Sequence, residues 1–367
     1  MSYPKYINTI IKSEKDFRLH TCKGLDFFDH PKSLVGDIHL DNNDYLSIAN
    51  KIRIESNLNA TLMSSAYLGN DSPHRTFEIE MAAFLGTEEV FLCQSGYVAN
   101  LGLLQCICDR NYPVYIDESA HVSLFEGVYR GRPKAIHKFA HNNTDELANL
   151  LSLHGSGIIV IDSVYSTNGV LANLNEINTL ALQYDSLLVV DESHSLGTHG
   201  DGGRGICSIL TDERAPLIIT ASLSKAFAGR GGIVACPRNF LDFLRSRSYP
   251  SIFSSAVQGY EVEAFRQSLA LVKAANEERF QLWRNVSLFR RALDKFCSIA
   301  GTEQIISIEM DGPYEVLKLR NDLAKEGIFA APFIPPAARK GFLRFSINAG
   351  GSFSELNKVV LTLKKLL

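Results

Sequence analysis

The fold of this chain is decided by two stretches of its sequence, SLLVVDESHSLGTHG at residues 186–200 and PLIITASLSK at residues 216–225. Each contains a short, continuous apolar run that ends in polar residues. An apolar run without alternation predicts a strand that is covered on both faces, as in a parallel sheet between two layers of helices. The two stretches therefore place the chain in the α/β class.

Five further runs of this kind occur between residues 88 and 237, with amphipathic segments between several of them. They read EEVFLCQS, PVYID, KAIHKFA, GIIVIDSVYS and GGIVACP. Together the seven runs predict a mostly parallel seven-stranded sheet between helices.

The pattern changes towards the C-terminus. Residues 255–297 predict long helices, and after them come the strand IISIEM, a helical stretch at 314–326, the strand FLRFSINA and a final helix. This is typical of a smaller α+β domain. We expect an N-terminal segment at 1–45 that packs with the small domain, a large α/β domain at 46–250, and a C-terminal α+β domain at 251–367.

Composition restricts the class of protein. The chain has 367 residues, is 46% apolar, and carries a formal net charge of -3 without a basic stripe, which argues against a nucleic-acid partner. It contains no apolar run long enough for a signal peptide or for the roughly 20 residues of a membrane span. Its seven cysteines are scattered, which favours a reducing cytoplasm.

Polar residues follow the two decisive strands. Asp191 and His194 come at the end of one apolar run, and Ser222 and Lys225 at the end of the other. Because ligands gather beyond the carboxyl ends of parallel strands, these residues are expected to face one site. Pyridoxal phosphate needs a lysine that binds it covalently, an acid beside its pyridine nitrogen and a phosphate cradle.

The cradle is expected at Ser95-Gly96-Tyr97, which opens a helical stretch directly after a strand, with the hydroxyl of Ser222 added. Each piece alone has a simpler explanation. A lysine at a strand end is usually a surface residue, an aspartate there often caps a turn, and Ser-Gly before a helix is commonly an N-cap. Their combination favours the cofactor.

Other motifs suggest different chemistry. Residues 200–205 match the dinucleotide fingerprint G-x-G-x-x-G but lie several residues beyond the strand end and open no clear βαβ unit. Residues 222–225 match S-x-x-K, yet the accompanying S-D-N and K-T-G motifs of serine acyl enzymes are missing. Asp191, His194 and His199 do not have a familiar zinc spacing, so no metal is expected.

Several of these motifs resemble those of a known group, the α-oxoamine synthases, which have the aspartate-aminotransferase-like fold of pyridoxal-phosphate enzymes (fold type I). The similar segments are DESHSLG at 191–197, SLSK at 222–225, NNDYL at 42–46 and FLRF at 342–345. The strings QSGYVANLGLLQCIC at 94–108 and HGSGIIVIDSVYSTNG at 154–169 resemble, more specifically, the bacterial quorum-sensing autoinducer synthases.

The resemblance implies roles for individual residues. Lys225 would carry the cofactor, Asp191 would pair with its pyridine nitrogen, and His121 would stack on its ring. Ser163 and His194 would lie near its phenolic oxygen.

The resemblance also implies how substrates and subunits are bound. Asn43 and Arg344 would bind the amino-acid substrate. Ser254 and Ser255 would reach the phosphate in the neighbouring subunit, which makes the active unit a homodimer with shared active sites.

The implied reaction joins an amino acid, or a related amino donor, to a medium- or long-chain acyl-CoA with loss of CoA and carbon dioxide. In the other α-oxoamine synthases a glycine-rich loop lies near the substrate, whereas SSAYLGND stands here at 64–71. This difference favours the autoinducer subgroup. The alternatives are another α-oxoamine synthase, an aminotransferase or an aldolase-type enzyme of the same fold, or a scaffold without catalysis.

Overall fold

The computed structural model describes residues 4–27, 31–54, 63–210, 214–338 and 340–367. The chain divides into two compact units. The larger unit comprises Asp44–Ser166 and Leu171–Arg279, and the smaller unit comprises Met1–Asn43, Thr167–Val170 and Phe280–Leu367. The functional domain boundaries expected from the sequence, after residues 45 and 250, stay a prediction.

The described residues form twelve strands and twelve α-helices, which we number in chain order. The strands are β1 Ile38–Leu40, β2 Glu89–Cys93, β3 Val114–Asp117, β4 Ile136–Phe139, β5 Ile158–Asp162, β6 Leu187–Asp191, β7 Leu217–Ser222, β8 Gly232–Cys236, β9 Ile299–Ala300, β10 Ile305–Met310, β11 Ile328–Phe333 and β12 Gly341–Ser346. The helices are α1 Lys5–Asp16, α2 Pro73–Leu85, α3 Gly96–Ile107, α4 Val122–Gly131, α5 Thr144–His154, α6 Leu174–Gln183, α7 Arg238–Arg247, α8 Tyr249–Phe253, α9 Gly259–Ala274, α10 Asn276–Leu293, α11 Pro313–Lys325 and α12 Phe353–Leu366.

The larger unit is built on a seven-stranded sheet with the order β2-β8-β7-β6-β5-β3-β4. Strands β4, β3, β5, β6 and β7 are parallel, and β8 runs antiparallel to both of its neighbours. The seven strands are the seven apolar runs of the sequence. The prediction of a mostly parallel seven-stranded sheet between helices, in the α/β class, is therefore confirmed.

The sheet brings the strand ends that carry polar residues level with one another. In the register of β5, β6 and β7, Asp162 pairs with Asp191, and Asp191 pairs with Thr220. Strand β4 lies on one side of β3 and β5 lies on the other, so the strand order reverses at β3. Such a reversal opens a crevice at the carboxyl ends of the strands, where α/β proteins bind ligands.

Two helices cover this end of the sheet and pack closely on each other. A Cβ on Gly127 of α4 would lie 2.8 Å from the carbonyl oxygen of Asn100 in α3, so glycine is needed at this contact. Buried side chains of both helices, such as Leu103 and Leu124, join the core formed with Val160 and Val189 of the sheet. The α3–α4 pair therefore holds the beginnings of both helices at fixed positions on the sheet.

The smaller unit contains a five-stranded sheet with the order β1-β11-β12-β10-β9. Strand β1 pairs in parallel with β11, and the other pairs are antiparallel. The N-terminal segment thus contributes an edge strand to a sheet whose other strands come from the C-terminal part of the chain. Among the helices of the described residues, none combines the length and apolarity that a bilayer span requires.

Candidate active site

A cavity of about 210 Å³ lies in the larger unit beyond the carboxyl ends of the strands. Its wall includes the four residues that the sequence predicts to be catalytic, Lys225, Asp191, His121 and His194. They come from three separate segments of the chain, and the parallel sheet brings them to the same edge. The predicted lysine and the predicted carboxylate therefore share one site.

The predicted phosphate-binding residues Ser95, Gly96, Tyr97 and Ser222 line the same cavity. Ser95 is the N-cap of α3, and its Oγ accepts the backbone N–H of Val98 at 3.1 Å. A Cβ on Gly96 would lie 2.6 Å from Ser222 Cβ, so only glycine allows α3 to begin this close to the end of β7. The helix N-terminus offers backbone N–H groups and partial positive charge, which suit a phosphate.

Asp191 is held by two donors at the end of β6. Its Oδ2 accepts a hydrogen bond from Asn100 Nδ2 at 2.6 Å, and its Oδ1 accepts the backbone N–H of Ser193 at 2.8 Å. The residue is only 4% exposed. The two hydrogen bonds hold the carboxylate in one orientation, in which Asp191 could pair with a protonated pyridine nitrogen beside it.

His121 lies at the start of α4, directly after the turn that follows β3. Its backbone N–H donates to Asp162 Oδ2 at 2.8 Å, and its Nδ1 lies 2.7 Å from Ser123 Oγ. Burial lowers the pKa of the imidazole; the negative charge of Asp191 opposes this shift and the positive charge of Lys225 adds to it. Burial therefore favours the neutral form of this histidine.

His194 and Ser163 are both buried, but they differ in what they contact. His194 lines the cavity, and its Nδ1 lies 2.7 Å from the hydroxyl of Tyr45. Ser163 is fully buried, and its Oγ donates to the carbonyl oxygen of Asp191 at 3.0 Å and lies 2.7 Å from Ser195 Oγ. Ser163 is absent from the described cavity wall, and its role near the phenolic oxygen stays a prediction.

Ser254 and Ser255 follow α8 and are exposed, outside the wall of this cavity. Gln94, one residue before the phosphate cradle, donates through Nε2 to the carbonyl oxygen of Ser255 at 2.6 Å. Ser255 also forms a β-bridge with Ser64. The role of the two serines towards a neighbouring subunit stays a prediction.

Ser224, which follows the same strand as Ser222 and Lys225, also lines the cavity. The wall contains four polar residues that the sequence interpretation did not single out, Asn100, Ser123, Asp162 and Ser193. Two signals were present in the sequence. Asn100 comes four residues after Gly96, on the same face of α3, and Asp162 ends an apolar run as Asp191 does. Burial raises the pKa of Asp162 well above its ordinary range, and the charge of Asp191 adds to this effect.

The predicted substrate residues Asn43 and Arg344 lie together in the smaller unit. Arg344 Nη2 donates to Asn43 Oδ1 at 3.2 Å, and the guanidinium lies 4.6 Å from the ring centroid of Phe333. Arg344 is 5% exposed and borders a cavity of about 280 Å³ whose wall includes Phe27 and Phe329. A buried arginine on an apolar wall is suited to hold a carboxylate.

The dinucleotide-like segment at 200–205 has a structural role in the larger unit. Glu192 is fully buried, and its carboxylate accepts the backbone N–H of Cys207. A Cβ on Gly205 would collide with Glu192 Oε2, and both Gly200 and Gly205 have positive φ angles. The glycines of this segment therefore allow the backbone to wrap around a buried carboxylate.

The residues of the cavity in the larger unit fit pyridoxal phosphate. The cradle at Gly96 leaves no room for a side chain, the lysine and the doubly hydrogen-bonded carboxylate share one wall, and a histidine whose burial favours its neutral form lies beside them. Each chemical requirement of the cofactor thus has a matching group.

Comparison with known proteins agrees with this assignment. The family model "Aminotransferase class I and II" matches residues 35–363. The chain is 36% identical to the CAI-1 autoinducer synthase of Vibrio campbellii over 336 residues, which cover 89% of this chain and 85% of that protein. It is 32% identical to the 2-amino-3-ketobutyrate coenzyme A ligase of Escherichia coli over 318 residues, with coverages of 82% and 80%.

A solved structure shows the same fold. The serine palmitoyltransferase of Sphingomonas wittichii superposes with a TM-score of 0.88 at 20% identity, covering 100% of this chain and 98% of that one. This likeness confirms the predicted aspartate-aminotransferase-like fold with its smaller C-terminal sheet. The chain belongs to the aminotransferase class I and II family and, within it, to the α-oxoamine synthases, acyltransferases whose cofactor is pyridoxal phosphate.

Proposed function

We propose that this protein condenses an amino acid, or a related amino donor, with a medium- or long-chain acyl-CoA. CoA and carbon dioxide leave, and the product is an α-aminoketone that serves as the precursor of a quorum-sensing α-hydroxyketone. The observation that carries the proposal is the shared cavity of Lys225, Asp191 and the Gly96 cradle. The similarity to an autoinducer synthase supports the signalling role.

When bound, pyridoxal phosphate supplies an electron sink for the carbanion at the substrate's α-carbon. Lys225 would hold the cofactor through its Nζ, and the same atom, when free, would accept the α-proton of the amino substrate. Asp191 keeps the pyridine nitrogen protonated. Ser95, Gly96 and Ser222 bind the phosphate.

Asn43 and Arg344 are proposed to bind the carboxylate of the amino substrate. The Arg344 guanidinium presents several N–H donors in one plane, and its hydrogen bond to Asn43 orients that plane. Its position on the face of Phe333 limits rotation further. A bidentate contact with a carboxylate needs such a fixed plane.

The acyl chain is proposed to be long and apolar. Phe329 and Phe333 border the cavity of the smaller unit, together with Phe27. Ile334, which follows Phe333, is buried, whereas Tyr67 in the segment at 64–71 is 72% exposed. Neither residue lines this cavity. Each buried methylene contributes about 0.8 kcal/mol, so four extra carbons add roughly 3 kcal/mol of binding.

The active unit is proposed to be a cytoplasmic homodimer with shared active sites. Two large aromatic side chains beside Ser254 and Ser255 are exposed in the single chain, Tyr249 at 62% and Phe253 at 79%. Exposed aromatic residues in a cluster are typical of protein interfaces. This surface is the one that would bring the two serines to a neighbouring subunit.

The test is a product analysis by mass spectrometry, with CoA release measured in parallel. The purified holoenzyme is given acyl-CoAs of increasing length, each with a panel of amino acids and with S-adenosylmethionine. We expect kcat/KM to rise steeply from acetyl-CoA to the medium and long chains. A flat dependence, or a preference for succinyl-CoA, would refute the autoinducer assignment and favour another α-oxoamine synthase, while keto-acid formation without CoA release would indicate an aminotransferase.

A further inference from the structure

A row of hydrogen bonds connects Asp191 to His121 through two buried side chains. Asn100 Nδ2 lies 2.6 Å from Asp191 Oδ2 and 2.9 Å from Ser123 Oγ. Ser123 Oγ lies 2.7 Å from His121 Nδ1. Asn100 is 1% exposed and Ser123 is 0% exposed, so protein groups rather than bulk water decide the direction of each hydrogen bond.

The carboxylate of Asp191 determines the direction of the whole row. A carboxylate only accepts hydrogen bonds, so the Asn100 amide must present its nitrogen to Asp191. The second hydrogen of that nitrogen then points to Ser123, whose Oγ accepts it. The hydroxyl hydrogen of Ser123 is left to be donated to His121 Nδ1.

A backbone contact also indicates that His121 Nδ1 accepts hydrogen bonds. His121 is the N-cap of α4, and its Nδ1 accepts the backbone N–H of Ser123 at 3.3 Å. A backbone N–H cannot accept, so this contact also favours a lone pair on Nδ1, but at 3.3 Å it is weaker than the 2.7 Å contact from Ser123 Oγ and does not hold the tautomer by itself. The partial positive charge at the helix N-terminus also disfavours a protonated imidazole.

This orientation of the Asn100 amide lowers the stability of the fold. Its Oδ1 is buried without a hydrogen-bond partner among the described residues. A buried carbonyl oxygen without a partner destabilises a fold. The role of the Asn100 side chain in the site therefore depends on its nitrogen, which donates to both Asp191 and Ser123.

We propose that Asn100 and Ser123 are positioning residues that hold His121 as a neutral imidazole with its proton on Nε2. In this form Nε2 carries the proton and cannot accept another, and the lone pair of Nδ1 is occupied by the hydrogen bonds from Ser123. Proton abstraction is left to Lys225. The catalytic consequence rests on the proposed function, whereas the position of the proton does not.

The test is nuclear magnetic resonance of the holoenzyme labelled with ¹⁵N-histidine, in which two-bond ¹H–¹⁵N correlations show which ring nitrogen is protonated. The His121 signals are assigned by their loss in His121→Gln. In the wild type we expect an unprotonated Nδ1 and a protonated Nε2. Ser123→Ala and Asn100→Leu should move both signals towards a mixture of tautomers and lower kcat roughly threefold to tenfold. Ser123→Thr, which keeps the hydroxyl, should restore the wild-type signals.

A matched control is Ser186→Ala, at the opposite end of the strand that ends in Asp191. Ser186 is also fully buried, and its Oγ accepts the N–H of Gly157 at 3.1 Å. This variant should lose stability without moving the His121 signals.

A protonated Nδ1 in the wild type would overturn the proposal, and that measurement needs no variant to fold. Unchanged His121 signals in both Asn100→Leu and Ser123→Ala would overturn the role of the two residues. A correct tautomer in an enzyme that releases no CoA would instead refute the proposed reaction and leave this inference standing.

Discussion

At the scale of single residues, the carboxylate of Asp191 is the group on which the cofactor chemistry depends most directly. Asp191→Asn keeps the shape of the side chain but removes the charge that holds a proton on the pyridine nitrogen. Loss of one preorganised charged partner typically costs about 3 kcal/mol, so kcat should fall a hundredfold or more. Steady-state kinetics with saturating cofactor measures this.

The control for Asp191→Asn is Asp185→Asn, which lies just before the same strand and whose carboxylate does not line the active-site cavity. It should keep near-normal kcat. A near-normal kcat in Asp191→Asn would assign the electron-sink role to another residue.

Arg344 supplies a second test at this scale. Arg344→Lys replaces a planar fork by a single ammonium group, which cannot form two parallel hydrogen bonds to a carboxylate. The KM for the amino donor should rise about tenfold, while the KM for acyl-CoA changes little. Arg291→Lys, on an exposed position of α10, should leave both KM values unchanged. The opposite ordering of the two KM changes would move Arg344 to the acyl-CoA site.

At the scale of elements, the start of α3 against the end of β7 forms the phosphate cradle. In Gly96→Ala the new methyl group would lie 2.6 Å from Ser222 Cβ and 2.9 Å from Ser222 Cα, so the helix and the strand must move apart. Overpacking of this kind costs about 1–3 kcal/mol. The dissociation constant of the cofactor should therefore rise about tenfold or more, as measured by absorbance titration.

The matched control is Gly312→Ala, at the N-cap of α11. A Cβ on Gly312 would meet only the Glu315 side chain, at 3.2 Å. It should leave cofactor binding unchanged. Wild-type affinity in Gly96→Ala would show that the phosphate does not bind at the start of α3.

At the scale of the whole molecule, the buried carboxylate of Glu192 links stability to pH. Burial raises the pKa of Glu192 from its ordinary value of 4.5 to about 7, although the N–H of Cys207 opposes the shift. The unfolded chain thus loses this proton at lower pH than the folded chain does. The protonated Glu192 therefore adds to the free energy of unfolding below pH 4.5. This contribution, about 3 kcal/mol, is lost as pH rises through about 7.

Glu192→Gln removes this titration and keeps an oxygen for the N–H of Cys207. The stability of the variant relative to the wild type should increase between pH 5 and pH 8, as measured by urea unfolding of the holoenzyme. Glu326→Gln, at an exposed position, should follow the wild-type curve. Parallel curves for Glu192→Gln and the wild type would place the Glu192 pKa near its ordinary value.

The amino-acid sequence is enough to predict the strands of the larger sheet and the residue types at their carboxyl ends. Continuous apolar runs are local signals, because a strand buried on both faces must be apolar at every position. Asp191 and Lys225 were found for the same reason, since each stands at or just beyond the end of such a run. Of the wall residues, Ser123 carried no comparable signal, and Asn100 carried only its position four residues after Gly96 on one face of α3.

Which polar groups form hydrogen bonds with one another depends on the folded structure. Asn100 and Asp191 are 91 positions apart in sequence, and their hydrogen bond exists because α3 packs across the sheet at one angle and depth. The glycine-rich segment at 200–205 is a second example. Its spacing suggests a nucleotide site, but in the folded chain its backbone encloses Glu192. Spacing along a chain describes its local conformation, whereas a hydrogen bond between distant residues depends on the direction of both side chains in the folded state.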